Sequence, residues 1–163
     1  MTGGYTLVPV GFVAGGRDEV RDDDWAAERA VIALDATRFT PAAVAGLDAF
    51  SHLEVVYLFD RVDPDGVETG ARHPRGNPDW PRVGIFAQRA KDRPNRLGVS
   101  RCRLERVEGL DLHIAGLDAV HGTPVLDIKP YMSEFGPRGG PVHQPAWSRE
   151  LMAGYWEPPP SSG

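Results

Sequence analysis

Cysteine is nearly absent: Cys102 stands alone in 163 residues, so no disulfide framework and no cysteine-rich zinc site can be built from this chain. Its place in SRCRLERV, an alternating run, is that of a small buried hydrophobe rather than a reactive thiol. The histidines, His52, His73, His113, His121 and His143, never pair as HxxxH, and no metal site is expected. Long apolar runs are also missing, and nothing approaches the ~20 residues of a membrane helix. The opening MTGGYTLVPVGFVAGG lacks the basic and sustained apolar regions of a secretory signal, which makes a cytoplasmic protein the expectation. No GxGxxG follows a strand, and there is no GxxxxGK[ST] and no nucleophile elbow. Dinucleotide, P-loop and serine-hydrolase chemistry are therefore without a motif. Cations are in deficit, 18 Lys and Arg against 23 Asp and Glu for a net charge of −5, which argues against a surface uniformly coated for phosphate. The deficit is uneven, however. Acids crowd Asp18, Glu19, Asp22, Asp23 and Asp24, whereas arginines gather between Arg72 and Arg106, leaving room for a local basic face.

What is plentiful is punctuation. With 19 Gly and 15 Pro, regular elements must be short, and the apolar runs are rich in Val, Ile, Tyr and Phe, which favours strands. Strands are expected in YTLVPVGFVAG, in AVIALD (30–35), in SHLEVVYLFDRV with both faces buried, in RVGIFAQR, in the pair VSRCRLERVEG and LDLHIAGLDAV turning around Glu108 and Gly109, and in GTPVLDIKPY. TPAAVAGLDAF reads as a short helix, with Thr40 as cap, Pro41 at its first position and Val44, Leu47 and Phe50 at helical spacing. A second helix is expected over 146–152. Residues 1–156 are expected to form one domain and 157–163 a disordered tail. Consecutive short strands with one or two short helices predict a mainly β fold, a small closed or nearly closed antiparallel β-barrel, which also removes exposed edges.

Two segments carry unusual chemistry. In RAKDRPNRLGVS, Arg89 and Arg93 offer planar paired donors for a carboxylate or phosphate, while Pro94, Asn95 and Gly98 fix a backbone that a ligand can approach closely; the alternative is a turn with solvated arginines. In GLDAVHGTPVLDIKPY, Asp118 and the loop at His121 and Gly122 either hold a ribose or amino group or simply turn a hairpin. Asp127 and Lys129 share one strand face, to pair in the core or to reach a substrate. The long segment DPDGVETGARHPRGNPDWP, with Trp80, His73, Arg72 and Arg75, is too rich in function-bearing side chains for a spacer.

GLDAFSHLEVVYLF, GIFAQRAKDRPNRLGVS and GLDAVHGTPVLDIKPY, in that order, resemble the TsaA-like, or TrmO-type, S-adenosylmethionine-dependent methyltransferases over roughly Tyr5 to Tyr131. The resemblance implies a β-barrel that forms a homodimer, S-adenosyl-L-methionine as cofactor near the subunit interface, and methylation of N6 of threonylcarbamoyladenosine in tRNA. By position it implies donor contacts at Phe59, Asp60, Arg89, Val99, Asp118, Ala119, Val120 and His121. Asn95 and Lys129 fall at recurrent family positions. Better-known members carry an N-terminal Arg-Gln pair that touches the donor, whereas the comparable stretch here is EVRDDDWAAERAVIAL; this chain also has Arg96 where they tend to have Pro, and His121 where they tend to have Asp.

On that reading Arg89 engages the methionine carboxylate, Asp118 and the adjacent backbone hold adenosine, and Phe59 and Val99 surround the sulfonium. Asp60 or His121 accepts the proton that the acceptor nitrogen loses. Arg72, Arg75, Arg82, Arg93, Arg96 and Arg101 form the candidate tRNA surface, with Trp80 stacking on a flipped base and Asn95 and Lys129 beside them. Two other functions fit the same residues: methylation of a small-molecule nitrogen, and a non-catalytic S-adenosylmethionine-binding module.

Overall fold

A computed structural model describes residues 3–157; all but the first residue of the expected disordered tail lies outside them. Six of its strands close into an antiparallel barrel. These are β1 (Gly11–Ala14), β2 (Arg29–Leu34), β3 (His52–Leu58), β6 (Leu97–Glu108), β7 (Asp111–Ala115) and β8 (Pro124–Pro130), in the spatial order β1-β2-β7-β6-β3-β8. A two-stranded ribbon, β4 (Ala71–Arg72) with β5 (Val83–Gly84), stands apart from it.

Two-residue periodicity explains why these segments close up. Along β6, Gly98, Ser100 and Cys102 point inward while Leu97, Val99, Arg101 and Arg103 point out. Along β3 the inward set is Leu53, Val55 and Tyr57. With Val13, Ile32, Leu112, Ile114 and Val125 these fill the barrel, each 2% exposed or less apart from Gly98, Ser100 and Cys102. A Val, Leu or Ile buried this completely contributes ~1.5–3 kcal/mol over leaving it in water. The β6–β7 hairpin turns at Gly109, whose φ of 61° suits glycine. Closure comes from β8, which pairs with β3 on one side and β1 on the other, with Gly11 opposite Val125.

The barrel expectation holds, and several of its parts differ. The first strand is shorter than YTLVPVGFVAG: Pro9 has no N–H for a ladder, and Tyr5, Leu7 and Val8 are 95%, 63% and 58% exposed. RVGIFAQR pairs only at Val83–Gly84 and then winds into a 3-10 turn, Ile85–Ala87. The helix expected in TPAAVAGLDAF is two 3-10 turns, Pro41–Val44 and Leu47–Ala49, separated by Gly46 in the left-handed region. Only one face of β3 is fully buried; the other, with His52, Glu54, Val56 and Leu58, is half-buried. The expected second helix is α1 (Ala146–Met152). No helix among the described residues is long and apolar enough to cross a membrane.

Candidate functional site

The site grows from the pairing of Tyr57 on β3 with Gly98 on β6. Between Val56 and Tyr57 the β3–β8 register slips, Val56 facing Asp127 and Tyr57 facing Val125. Such a bulge re-aims the side chain beside it. The Tyr57 ring lies over Gly98, where no Cβ blocks it, and meets Phe59 edge-on at 5.4 Å between centroids. Its hydroxyl reaches Asp118, donating to Oδ1 at 2.9 Å with the Asp118 carbonyl at 3.2 Å.

Asp118 has a second phenol. Tyr155, beyond α1, donates to its other oxygen, Oδ2. Burial, then the Asp118 anion, drives both phenols far above their ordinary value, while the nearby Arg89 guanidinium pulls the opposite way. Both hydroxyls therefore stay protonated as donors across the neutral range. Arg89 is exposed, and its Nη2 is fixed by the Val99 carbonyl at 2.6 Å. The geometry thus brings Phe59, Arg89, Val99 and Asp118 into one neighbourhood. Ala119 is buried, and Val120 packs half-buried after it.

The loop behind Asp118 is tied to the N-terminal part. His121 N–H donates to the Arg17 carbonyl at 2.7 Å, and the His121 Nδ1 accepts from Gly15 N–H at 3.0 Å. That bond requires an unprotonated Nδ1, so neutral His121 carries its proton on Nε2 and presents a donor there, not a base. Arg61 donates to the His121 carbonyl at 3.0 Å. Asp60 is exposed, the only carboxylate among the two sequence-derived proton acceptors.

Sequence reasoning missed Arg17, Tyr57 and Tyr155. Arg17 is 9% exposed, stacks 3.9 Å above the Trp25 ring, and donates to Glu28 and to the carbonyls of Asp23 and Asp24. It pulls the acidic segment into an ordered wall. The available signal was an arginine set directly before Asp18 and Glu19 and close to the Asp22–Asp24 run. Residues Gly154, Tyr155 and Trp156 accept hydrogen bonds from the amides of Asp24, Trp25 and Ala26 at 3.1, 3.0 and 2.8 Å, closing that wall.

The arginines divide into two groups. Arg72 is bound to Asp92, whose carboxyl it holds below the usual range, and Arg75 reaches Asp23 at 2.9 Å. Arg101 pairs with Glu54 at 3.0 Å. Arg82, Arg89, Arg93 and Arg96 bind only backbone carbonyls, of Ala71, Val99, Gln88 and Val62, and keep their charge unpaired by any described carboxylate. Asn95 and Arg96 both adopt left-handed φ, 63° and 51°, which turns the RPN segment sharply. Trp80 is half-buried, its Nε1 donating to Glu150 at 2.7 Å, and Lys129 pairs with Asp127 at 2.9 Å on the surface rather than in the core. Among the described residues no cluster of three His, Cys, Asp or Glu could hold a metal ion.

Residues 21–136 match the family described as the tRNA-methyltransferase O N-terminal domain. A tRNA (adenine(37)-N6)-methyltransferase of Eikenella corrodens is 39% identical over 126 residues, covering 68% of this chain and 70% of that protein. The enzyme of the same name from Escherichia coli K12 is 43% identical over 96 residues, 55% of this chain and 40% of its own length. The human enzyme so named is 38% identical over 93 residues, 57% of this chain, but the match spans only 21% of its length. A crystal structure of TrmO from Pseudomonas aeruginosa superposes with a TM-score of 0.69 at 28% identity, covering 88% of this chain and 62% of that one.

Proposed function

The chain belongs to the tRNA-methyltransferase O N-terminal domain family, and on that premise we propose that it transfers a methyl group from S-adenosylmethionine to N6 of a modified adenosine in tRNA, threonylcarbamoyladenosine. The observation that carries this reading is the juxtaposition of a fixed cation, Arg89, with a carboxylate, Asp118, held between two phenols. An amino-acid end bearing both charges, beside an adenosine with hydroxyls to donate, is complementary to that pair.

S-adenosylmethionine supplies, when bound, a methyl group activated on a sulfonium. Passing that methyl to the acceptor nitrogen would leave the carbon–sulfur electron pair on sulfur and oblige the nitrogen to give up one proton, which the residues here would have to take. Arg89 binds the carboxylate and Phe59 supplies an aromatic wall toward the positive sulfur. Asp118, with the Ala119–Val120 backbone, holds the nucleoside part. Asp60 accepts the proton, since neutral His121 offers an N–H at Nε2. Alignment in such a site is worth ~7–11 kcal/mol of the barrier.

The tRNA surface of this proposal is centred on Arg82, Arg93 and Arg96, which pair with no carboxylate among the described residues, with Asn95 at the RPN turn and Trp80, Arg72 and Arg75 at its border. A homodimer belongs to the same reading: Phe86 and Val99, near Arg89, are 78% and 43% exposed and suit a second copy. So does the cytoplasm, where tRNA is found. Incubation with labelled S-adenosylmethionine and bulk tRNA, followed by digestion to nucleosides, should yield a methylated modified adenosine. Labelled donor consumed with no labelled nucleoside would overturn the acceptor.

A small-molecule nitrogen acceptor is the second reading, favoured by one observation. Arg72, Arg75 and Arg101 are already neutralised by Asp92, Asp23 and Glu54, which thins the charge available to a polyanion.

A further inference from the structure

Asp118 lies at the centre of the site, yet the hydroxyl on its Oδ2 comes from a residue 37 positions later. That residue is no part of a loose end. Three amides of the Arg17-organised wall, Asp24, Trp25 and Ala26, donate to the carbonyls of Gly154, Tyr155 and Trp156. The Tyr155 ring meets Trp156 edge-on at 5.0 Å, and Glu150 of α1 receives the Trp80 indole. The segment is thus pinned at two points, and its phenol is delivered to one carboxylate oxygen while Tyr57 serves the other.

A carboxylate offers about four acceptor positions. With one phenol on each oxygen, rotation about the side-chain bond is blocked, and the free positions keep a fixed direction. A carboxylate with Tyr57 alone would still turn about that single bond.

We propose that Tyr155 is a positioning residue for the methyl donor, holding Asp118 so that its open acceptor positions face the hydroxyl or ammonium donors of the bound molecule. The proposal rests on the reading of Asp118 and Arg89 as the donor site. It makes the Ala146–Trp156 segment part of the binding site, so donor binding and the order of this segment reinforce each other.

The test is Tyr155→Phe in the full chain, which removes one hydroxyl and keeps the ring. Calorimetry with S-adenosylmethionine should show the Kd raised roughly tenfold, the loss of one hydrogen bond to a charged group. Turnover should show KM for the donor raised by a similar factor and kcat at saturating donor within about twofold, because the hydroxyl does not touch the reacting atoms. A Kd within twofold of wild type, where wild type binds, overturns the positioning role and leaves the site reading intact. Absence of binding by wild type overturns the site reading and this proposal with it. Should the variant not fold, amide exchange on the wild type decides: donor must slow exchange at Asp24, Trp25 and Ala26, and unchanged exchange overturns the coupling.

Discussion

Replacing Gly98 with alanine tests the centre of the barrel and of the site together. A Cβ at this position would stand 2.5 and 2.6 Å from Cε2 and Cζ of Tyr57 and 2.9 Å from Cζ of Phe59, where carbon atoms rest ~3.5–4.0 Å apart. The ring must therefore retreat by about 1 Å. It has little space to do so, being 2% exposed and enclosed by β3, β6 and β8. Overpacking of this kind costs about 1–3 kcal/mol. A retreating ring also draws its hydroxyl away from Asp118, and a buried donor or acceptor left without its partner costs about 1–3 kcal/mol more. The expected destabilisation is about 2–6 kcal/mol, which in a domain of this size lowers Tm by roughly 5–20 °C in a circular-dichroism melt. The assay is completed by a double-mutant cycle with Tyr57→Leu, in which the nearer clashing ring is gone and the less enclosed Phe59 ring can give way. There Gly98→Ala should cost less than about 1 kcal/mol. An equal cost in both backgrounds would mean that the ring contact is not the cause.

Arg89→Ala should raise the Kd for S-adenosylmethionine by about 10- to 100-fold, the weight of a charge-assisted pair, and calorimetry giving an unchanged value removes Arg89 from the site. If Arg82, Arg93 and Arg96 meet phosphates, each change to Gln should reduce the slope of log K against log salt for tRNA by about 0.7–0.9, and an unaltered slope takes that residue off the surface. Tyr57 and Tyr155 have phenol pKa values raised on folding, so the unfolded chain loses its phenol protons first and stability falls as pH rises above the ordinary tyrosine value of 10.0. Chemical denaturation between about pH 9 and 12 should follow this decline at ~1.4 kcal/mol per pH unit per group, and a flat profile contradicts the burial of both hydroxyls. The Cys102 thiol, pushed up to about 12 by burial, should react with a thiol reagent only on unfolding; labelling of native protein within seconds would place it at the surface.

The barrel was legible because its strands announce themselves by alternation: β6 and β7 turn where Gly109 permits a left-handed φ, and β8 ends the set at Pro130. Two of the failures share one cause. YTLVPVGFVAG and RVGIFAQR have strand composition, but a strand also needs a partner edge, and neither Tyr5 nor Phe86 finds one. Ordered motifs single out Arg89, Val99, Phe59 and Asp118, and the fold brings these four into one neighbourhood. Tyr155 was not recoverable, since its role depends on a hydroxyl meeting Asp118 after the chain has folded back over the acidic wall. Pairing also altered the arginines: sequence lists Arg72 and Arg75 with Arg93 as equals, whereas Asp92 and Asp23 occupy the first two.

The seam between β1 and β8 sets the order in which this protein assembles. Gly11 must wait for Val125, so in a nascent chain β1 can pair with β2 at once but stays without its second neighbour until more than a hundred further residues have been synthesised, just after the β6–β7 hairpin is complete. The surroundings of Asp118 mature later still: a chain stalled before Tyr155 would hold the six barrel strands with Asp118 tethered by Tyr57 alone.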